Sequence, residues 1–275
     1  MLLAIDVGNT NIVIGLYAPD SSELVADWRI TTHRTQTSDE YGVLLLNLFA
    51  MRGIDVARIS AIVVSSVVPT LDSILRRLCE RYFSLKPIFV EPGIKTGMPL
   101  LVDNPAELGA DRIVNGVAAY ARHGGPIVVV DFGTATTFDV ISARGEYIGG
   151  VIAPGLGISA DALFARAAKL VRVDVKRPAR VIGTNTIAHL QSGLFYGYIG
   201  LVDGILERML AEMQSTQPES GTPKVIATGG LAHLLSGDSK YITTIDDMLT
   251  LDGLRLLYER NRNPRARSVP PHATT

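Results

Sequence analysis

Three aspartates, Asp6, Asp111 and Asp131, stand where a carboxylate needs a reason. Asp6 follows the apolar run Leu2–Ile5 and opens the polar turn Asp6-Val7-Gly8-Asn9-Thr10-Asn11, after which Ile12–Tyr17 is apolar again. Two short apolar runs around a tight polar turn read as a β-hairpin, not as a strand feeding a helix. Gly8 admits a positive φ or a close approach, and Asn9, Thr10 and Asn11 add donors around the same small space. An ionised carboxylate at the end of a buried strand is costly unless it meets a cation, directly or through water. Many donors and one carboxylate suit a polyphosphate with Mg²⁺, an ion that keeps several waters and takes few protein ligands.

The pattern returns 125 residues later. Ile127–Val130 is apolar, Asp131-Phe132-Gly133-Thr134-Ala135-Thr136-Thr137 is the turn, and Phe138–Ile141 resumes the strand. One such turn serves as an ordinary hairpin as readily as a phosphate loop. Two copies, each near the start of half a chain, point to duplication. A duplicated phosphate-binding hairpin resembles the actin-like ATPase superfamily. The resemblance implies an α/β fold of two ribonuclease-H-like domains with ATP in the cleft between them. It sets the domains at 1–115 and 116–261, followed by a disordered Arg- and Pro-rich tail at 262–275.

The intervening elements fit that plan. Leu24–Thr31 reads as a third strand. Thr37 or Ser38 caps a helix whose apolar positions Tyr41, Leu44, Leu45, Leu48 and Phe49 repeat at helical spacing until Gly53. Ile59–Val68 is a β-branched strand, Pro69 starts a helix with Leu71, Ile74, Leu75 and Leu78 inward, and Lys86–Val90 is one more strand. The polar stretch 103–112 then opens a helix to about Arg122, with Asn104 placed to cap it and Pro105 at its first position. Asp111-Arg112 reads either as a solvated ion pair or as a functional pair. Gly109 inside the helical pattern, which costs about 1 kcal/mol, favours the functional reading. Asp111 is therefore the candidate catalytic carboxylate.

In the second half Glu146–Ile152 is a third strand, and Ala153–Ala160 reads as a substrate-side loop opening a helix that runs through about Leu170. Gly155-x-Gly157-x-x-Ala160 with Asp174 formally matches a dinucleotide fingerprint, but Pro154 interrupts the turn that the fingerprint requires. Arg172–Arg180 is a basic connection. Gly183-Thr184-Asn185-Thr186 caps a long helix to about Met213, in which Gly193, Gly197, Gly200 and Gly204 predict a close helix crossing, within the protomer or in a dimer. Lys224–Ala227 is a strand ending in Thr228-Gly229-Gly230, which leaves room for a base or ribose. A final helix holds Leu251, Leu254, Leu257 and Tyr258.

Composition excludes several classes. The chain has 275 residues, 47% hydrophobic and 19% charged, so a sizeable core is available and global disorder is excluded. With 26 basic against 27 acidic residues, neither nucleic acid nor an anionic membrane is the expected partner. No apolar run reaches bilayer length and no basic leader precedes the first strand, so a cytoplasmic location is expected. Cys79 is the only cysteine and falls in an apolar helical pattern, which suits packing. There is no Walker Gly-x-x-x-x-Gly-Lys-Ser/Thr, no protein-kinase set around Asp131-Phe132-Gly133, and no histidine spacing that suits a metal.

Within the superfamily the chain resembles type III pantothenate kinases, a family also described as Bvg accessory factor-like, from Met1 to about Asn261. The matching segments are Asp6–Asn11, Gly109-Ala110-Asp111-Arg112, Asp131–Thr137, Gly183-Thr184-Asn185-Thr186 and Ala227-Thr228-Gly229-Gly230. The resemblance implies ATP-dependent phosphorylation of pantothenate, the first step towards coenzyme A, by a homodimer. It further implies that Asp6, Val7, Gly8, Asn9, Thr10, Asn11, Ile12 and Val13 hold the ATP phosphates, with Asp6 at Mg²⁺ directly or through water. Thr134 would contact phosphate from the other domain. Asp111 would be the general base, and Gly109, Ala110, Asp111, Arg112 and Thr186 would bind pantothenate. Asp131 would hold a monovalent cation, K⁺ or NH₄⁺. Arg112 is left to pair with the substrate carboxylate or with developing phosphoryl charge. A nucleotide-binding regulatory protein without kinase activity is the alternative.

Overall fold

The computed structural model describes residues 1–167, 170–216 and 218–262. Its first half contains β1 (Leu2–Val7), β2 (Asn11–Tyr17), β3 (Leu24–Thr31), α1 (Ser38–Met51), β4 (Ala61–Ser66), α2 (Pro69–Phe83) and β5 (Ile88–Phe89). α3 (Ala110–His123) leads to the second half: β6 (Ile127–Phe132), β7 (Ala135–Ile141), β8 (Tyr147–Pro154), α4 (Leu156–Arg166), α5 (Thr186–Thr216), β9 (Lys224–Thr228), α6 (Ala232–Leu235), β10 (Thr244–Ile245) and α7 (Leu249–Asn261). The sheets have orders β3-β2-β1-β4-β5 and β8-β7-β6-β9-β10, the same topology twice. In each, three antiparallel strands continue into two parallel ones. The repeat extends to detail. Both sheets carry a register irregularity at the same place, Leu16/Tyr17 and Val140/Ile141.

The layers follow from strand alternation, since successive side chains leave opposite faces of a sheet. Leu3, Ile5 and Val7 of β1 face α1 and α2 in one core, while Leu2 and Ala4 face a central core shared by both sheets. On β6, Val128, Val130 and Phe132 join the outer core with α5, and Ile127 and Val129 face the centre. The same alternation turns Asp6 and Asp131 inward, towards the space between the sheets. α3 and α7 fill that central layer and pack on each other. α3 also lies against β4, β6 and β7, and α7 against β1, β2 and β4. The last helix among the described residues therefore covers the N-terminal sheet, and residue 115 lies within the shared α3.

Most expected elements are present, with changed limits. Thr37 caps α1 in a reciprocal capping box with Glu40. The strand around Ile59–Val68 contracts to Ala61–Ser66, the one at Lys86–Val90 to two residues, and the helix after Gly155 stops at Arg166. Asn104 and Pro105 do not open α3. They form a separate one-turn helix at Pro105–Glu107, after which Leu108 is extended and Gly109 is the N-cap of α3. The glycines of α5 mediate no crossing inside the protomer: a Cβ on Gly193, Gly197 or Gly200 would meet open space. Cys79 is fully buried, and burial pushes its thiol up to about 12, as packing requires. The tail expected from residue 262 lies outside the described residues apart from Arg262, which pairs with Asp20.

A shared central layer makes the two halves one cooperative unit. Leu254 of α7 is fully buried in that layer, so Leu254→Ala should cost about 2–5 kcal/mol in urea unfolding. Trp28 is the only tryptophan and sits in the first-sheet core against Phe49. Its fluorescence and the far-UV circular dichroism should lose structure in the same transition.

Candidate active site

The site is assembled at the C-terminal ends of the two central strands. The turn Gly8-Asn9-Thr10 after β1 is closed by the Gly8 amide donating to the Asn11 carbonyl (3.0 Å). Its glycine serves a close approach, since a Cβ there would stand 3.1 Å from that oxygen. Thr32, just past β3, braces the turn by donating its hydroxyl to the Gly8 carbonyl (2.7 Å), and Arg34 donates to Asn9 Oδ1 (2.7 Å). The second turn is shorter, Gly133-Thr134, because β6 runs to Phe132 and β7 begins at Ala135. The two turns meet across the cleft, where the hydroxyls of Thr10 and Thr134 lie 2.8 Å apart.

Asp6 and Asp131 lie directly behind those turns, half-buried. Burial is the larger cause that pushes each up to about 7, and the charge of Asp111 adds to both rises. On Asp131 the Asn115 amide, which donates to Oδ2 at 3.0 Å, opposes the rise, and Thr250 of α7 in turn donates to Asn115 Oδ1 at 2.7 Å. Ser65 faces Asp6 from the next strand in register and acts against the rise, although its fully buried hydroxyl has no partner within hydrogen-bond distance. Arg29 of β3 is the cation whose field reaches both aspartates.

Asp111 is the second residue of α3, and Asn115 follows one helical turn later on the same face. Burial raises Asp111 above the usual carboxylate range, while the Arg112 amide, donating to Oδ1 at 2.8 Å, pulls the other way. Gly109 is a glycine for a local reason: a Cβ on it would come within 2.6 Å of Asp111 Oδ1. Arg112 turns away from Asp111. Its Nε donates to Asp139 Oδ1 (2.6 Å), and Asp139 also accepts from Tyr147 (2.6 Å) and Thr137 (3.1 Å). Asp139 is fully inaccessible and Arg112 is half-buried.

The structure thus brings Asp6, Asp111, Asp131, Thr10 and Thr134 to one cleft. Val7 and Ile12 are core residues, so only their backbone is available to a ligand there. Asn9 is exposed, Asn11 and Ala110 are half-buried, and Val13 packs at the edge of the central core. Thr186 is the exposed first residue of α5, where Asn185 accepts the Ala188 amide (2.9 Å) as a cap. Gly229 is occupied differently from expectation. At φ +92° it closes against Asp131, where a Cβ would lie 2.4 Å from Oδ1, so its bareness serves the carboxylate before any base or ribose. Gly155–Ala160 follows the antiparallel edge strand β8, which is not dinucleotide-fold geometry. Asn115, Asp139, Ser65 and Arg29 were not singled out by the sequence. A polar Asn115 four residues after Asp111 and a charged Asp139 inside an apolar strand were the available signals.

Among the described residues, no group of three or more His, Cys, Asp or Glu is arranged to hold a metal by itself. Crowded carboxylates without enough compensating charge still create demand for a cation, and phosphate oxygens would complete its shell. No described helix is long and apolar enough to cross a membrane.

Comparison with known proteins agrees with this architecture. The family model described as type III pantothenate kinase matches residues 2–208. A protein of Koribacter versatilis named type III pantothenate kinase is 60% identical over 271 residues, covering 96% of this chain and 97% of its own. One of the same name from Acidobacterium capsulatum is 55% identical, with 98% of each chain covered. Among solved structures, the activator of 2-hydroxyisocaproyl-CoA dehydratase from Clostridium difficile, with bound ADPNP, superimposes at TM-score 0.53 and 13% identity, covering 99% of both chains. A Campylobacter jejuni protein assigned to the Baf family of transcriptional activators gives 0.56 at 20% identity, over 94% of this chain and 98% of that one. At such identities these structures share the fold alone, the duplicated ribonuclease-H-like fold.

The raised carboxylates make a signed prediction. Asp131 is about 7 when folded and near 3.9 when unfolded, so its protonation favours the fold fully below about pH 4 and is lost as the pH rises through 7. Asp131→Asn should therefore raise the melting temperature of the ligand-free protein at pH 8, by about 2–6 °C for a gain of about 1–2 kcal/mol. That gain should disappear towards pH 4, as differential scanning calorimetry across the range would read.

Proposed function

The chain belongs to the type III pantothenate kinase family, and from that premise we propose how its own residues do the work. The reaction is ATP-dependent phosphorylation of pantothenate to 4′-phosphopantothenate in coenzyme A biosynthesis. We infer that Asp111 is the general base. The observation that carries this reading is its position: a carboxylate with a raised pKa, at the first turn of a helix, electrostatically coupled to both phosphate-side aspartates. A base poised nearer neutrality accepts a hydroxyl proton more readily than an ordinary aspartate.

The turn from Asp6 to Val13 binds the ATP phosphates through its backbone donors, and Thr134 meets them from the other lobe. Asp6 holds Mg²⁺ directly or through water, and the ion when bound offsets negative charge on the phosphates. Asp111 takes the proton of the pantothenate primary hydroxyl as that oxygen bonds to the γ-phosphorus. The bond from phosphorus to the β–γ bridging oxygen breaks, and ADP leaves with the electron pair. Gly109, Ala110, Arg112 and Thr186 bind pantothenate. Arg112 does so from a fixed position, since its Nε donates to Asp139, which Tyr147 and Thr137 hold in turn. Asp131 holds K⁺ or NH₄⁺. Support for this is a carboxylate with Oδ2 on the Asn115 amide and Oδ1 against the bare Gly229, in the field of two further carboxylates, Asp111 and Asp139, that a cation would offset. The exposed glycine face of α5 supports a homodimer, and the enzyme works in the cytoplasm.

Two measurements test these assignments. Asp111→Asn should lower kcat by about 10²–10⁴-fold with nucleotide affinity kept; equal loss of ATP binding by calorimetry would make Asp111 structural. ADP release with ATP, Mg²⁺ and pantothenate should require K⁺ or NH₄⁺. Equal turnover in Na⁺ would remove the cation from Asp131 and leave the kinase reading intact.

A further inference from the structure

Arg29 has no part in the functional assignments above, yet register places it in the cleft. Across the first sheet Arg29 pairs with Val13, Val13 with Asp6, and Asp6 with Ser65. Side chains opposite one another on paired strands share a face. The row therefore puts Arg29 on the same side as Asp6, the side that faces the other lobe. Its guanidinium spans the gap: a Cβ on Gly230, in the turn after β9, would stand 3.6 Å from Arg29 Nη1. Arg29 is exposed, and no hydrogen bond or ion pair to another described residue holds it.

The equivalent row of the second sheet is Ile152, Thr137, Asp131 and Thr228. Where the first lobe has Arg29, the second has an isoleucine that is 63% exposed. The duplicated cleft therefore carries this cation on one wall only. An arginine offers five donors in a planar fork suited to phosphate oxygens. One that is exposed and unpaired contributes little to the stability of the fold. Set on the Asp6 row of one sheet and reaching to the turn after β9 of the other, it is arranged to meet an anion that arrives with the substrate.

We propose that Arg29 contacts the γ-phosphoryl group of ATP and supplies, from within the same chain, the guanidinium that offsets charge on its equatorial oxygens during transfer. This rests on the kinase reading and adds a catalytic residue to it. Phosphoryl transfer is dominated by positioning and charge stabilisation, and a guanidinium in this role contributes about 10³–10⁵ in rate.

The test uses the full chain with Arg29→Gln and Arg29→Lys. Arg29→Gln should lose about 10³-fold in kcat, keep the KM for pantothenate within about threefold, and melt at the wild-type temperature. Arg29→Lys should recover part of the loss, and added guanidinium ion should partly rescue Arg29→Ala. A binding readout separates transition-state from ground-state contact. ADP, Mg²⁺ and aluminium fluoride with pantothenate should bind the wild type far more tightly than Arg29→Gln, while ADP alone binds both equally. Unchanged kcat, equal weakening of ADP and of the fluoride complex, or a lowered melting temperature would each overturn the proposal. Absence of pantothenate phosphorylation by the wild type would instead fail the kinase reading itself.

Discussion

The structure depends on holding like charges close together away from bulk water. Asp6 and Asp131 end the central strands of two sheets, and Asp111 raises the pKa of both. A group whose charged form is disfavoured in this way costs stability in the ligand-free protein. The surroundings offset only part of that cost. Asn115 gives Asp131 one donor and is itself fixed by Thr250 of the last helix. Ser65 stands beside Asp6 with a buried hydroxyl still unpartnered.

Duplication explains how two remote stretches of chain supply such a site. The sheets repeat in order, in register irregularity and in the alternation of their central hairpins, where β1 and β6 have the same burial pattern, as do β2 and β7. Backbone geometry is what the repeat preserves, because each hairpin must deliver one aspartate and one turn to the cleft. Side chains along the equivalent rows have diverged. Val13 corresponds to Thr137, Ser65 to Thr228 and Arg29 to Ile152. A symmetric scaffold thereby gives a chemically one-sided cleft, as transfer from a donor to an acceptor requires.

α3 joins these halves and brings Asp111 to the cleft. Its N-terminal turn carries Asp111, its next turn carries Asn115, and Arg112 between them ties the helix to β7 through Asp139. A buried ion pair contributes little net stability over an apolar contact, but losing one partner leaves an uncompensated charge. With Tyr147 and Thr137 also bonded to Asp139, the pair acts as a strut that fixes the helix end within hydrogen-bond precision.

Much of this was legible before any coordinates, for a physical reason. Period-two alternation, a glycine turn and an aspartate at the end of an apolar run are local properties, so both hairpins, and the candidate roles of Asp6 and Asp131, could be read from short stretches of chain. The capping of α1 by Thr37 was local in the same way. Gly109 was misread as helical because the competing signal was tertiary in consequence: the helix begins one residue later so that Asp111 can lie against a position without a Cβ. Arg29, Asn115 and Asp139 belong to no short motif. Their partners lie across strand registers or tens of residues away, and a side chain's role there is set by which face the register gives it. The sequence by itself determined a duplicated α/β fold, its two hairpin turns and its family. Only the tertiary structure decided which polar groups meet, since the meeting of Thr10 with Thr134 and of Arg29 with the far lobe depends on how two sheets pack around one shared pair of helices.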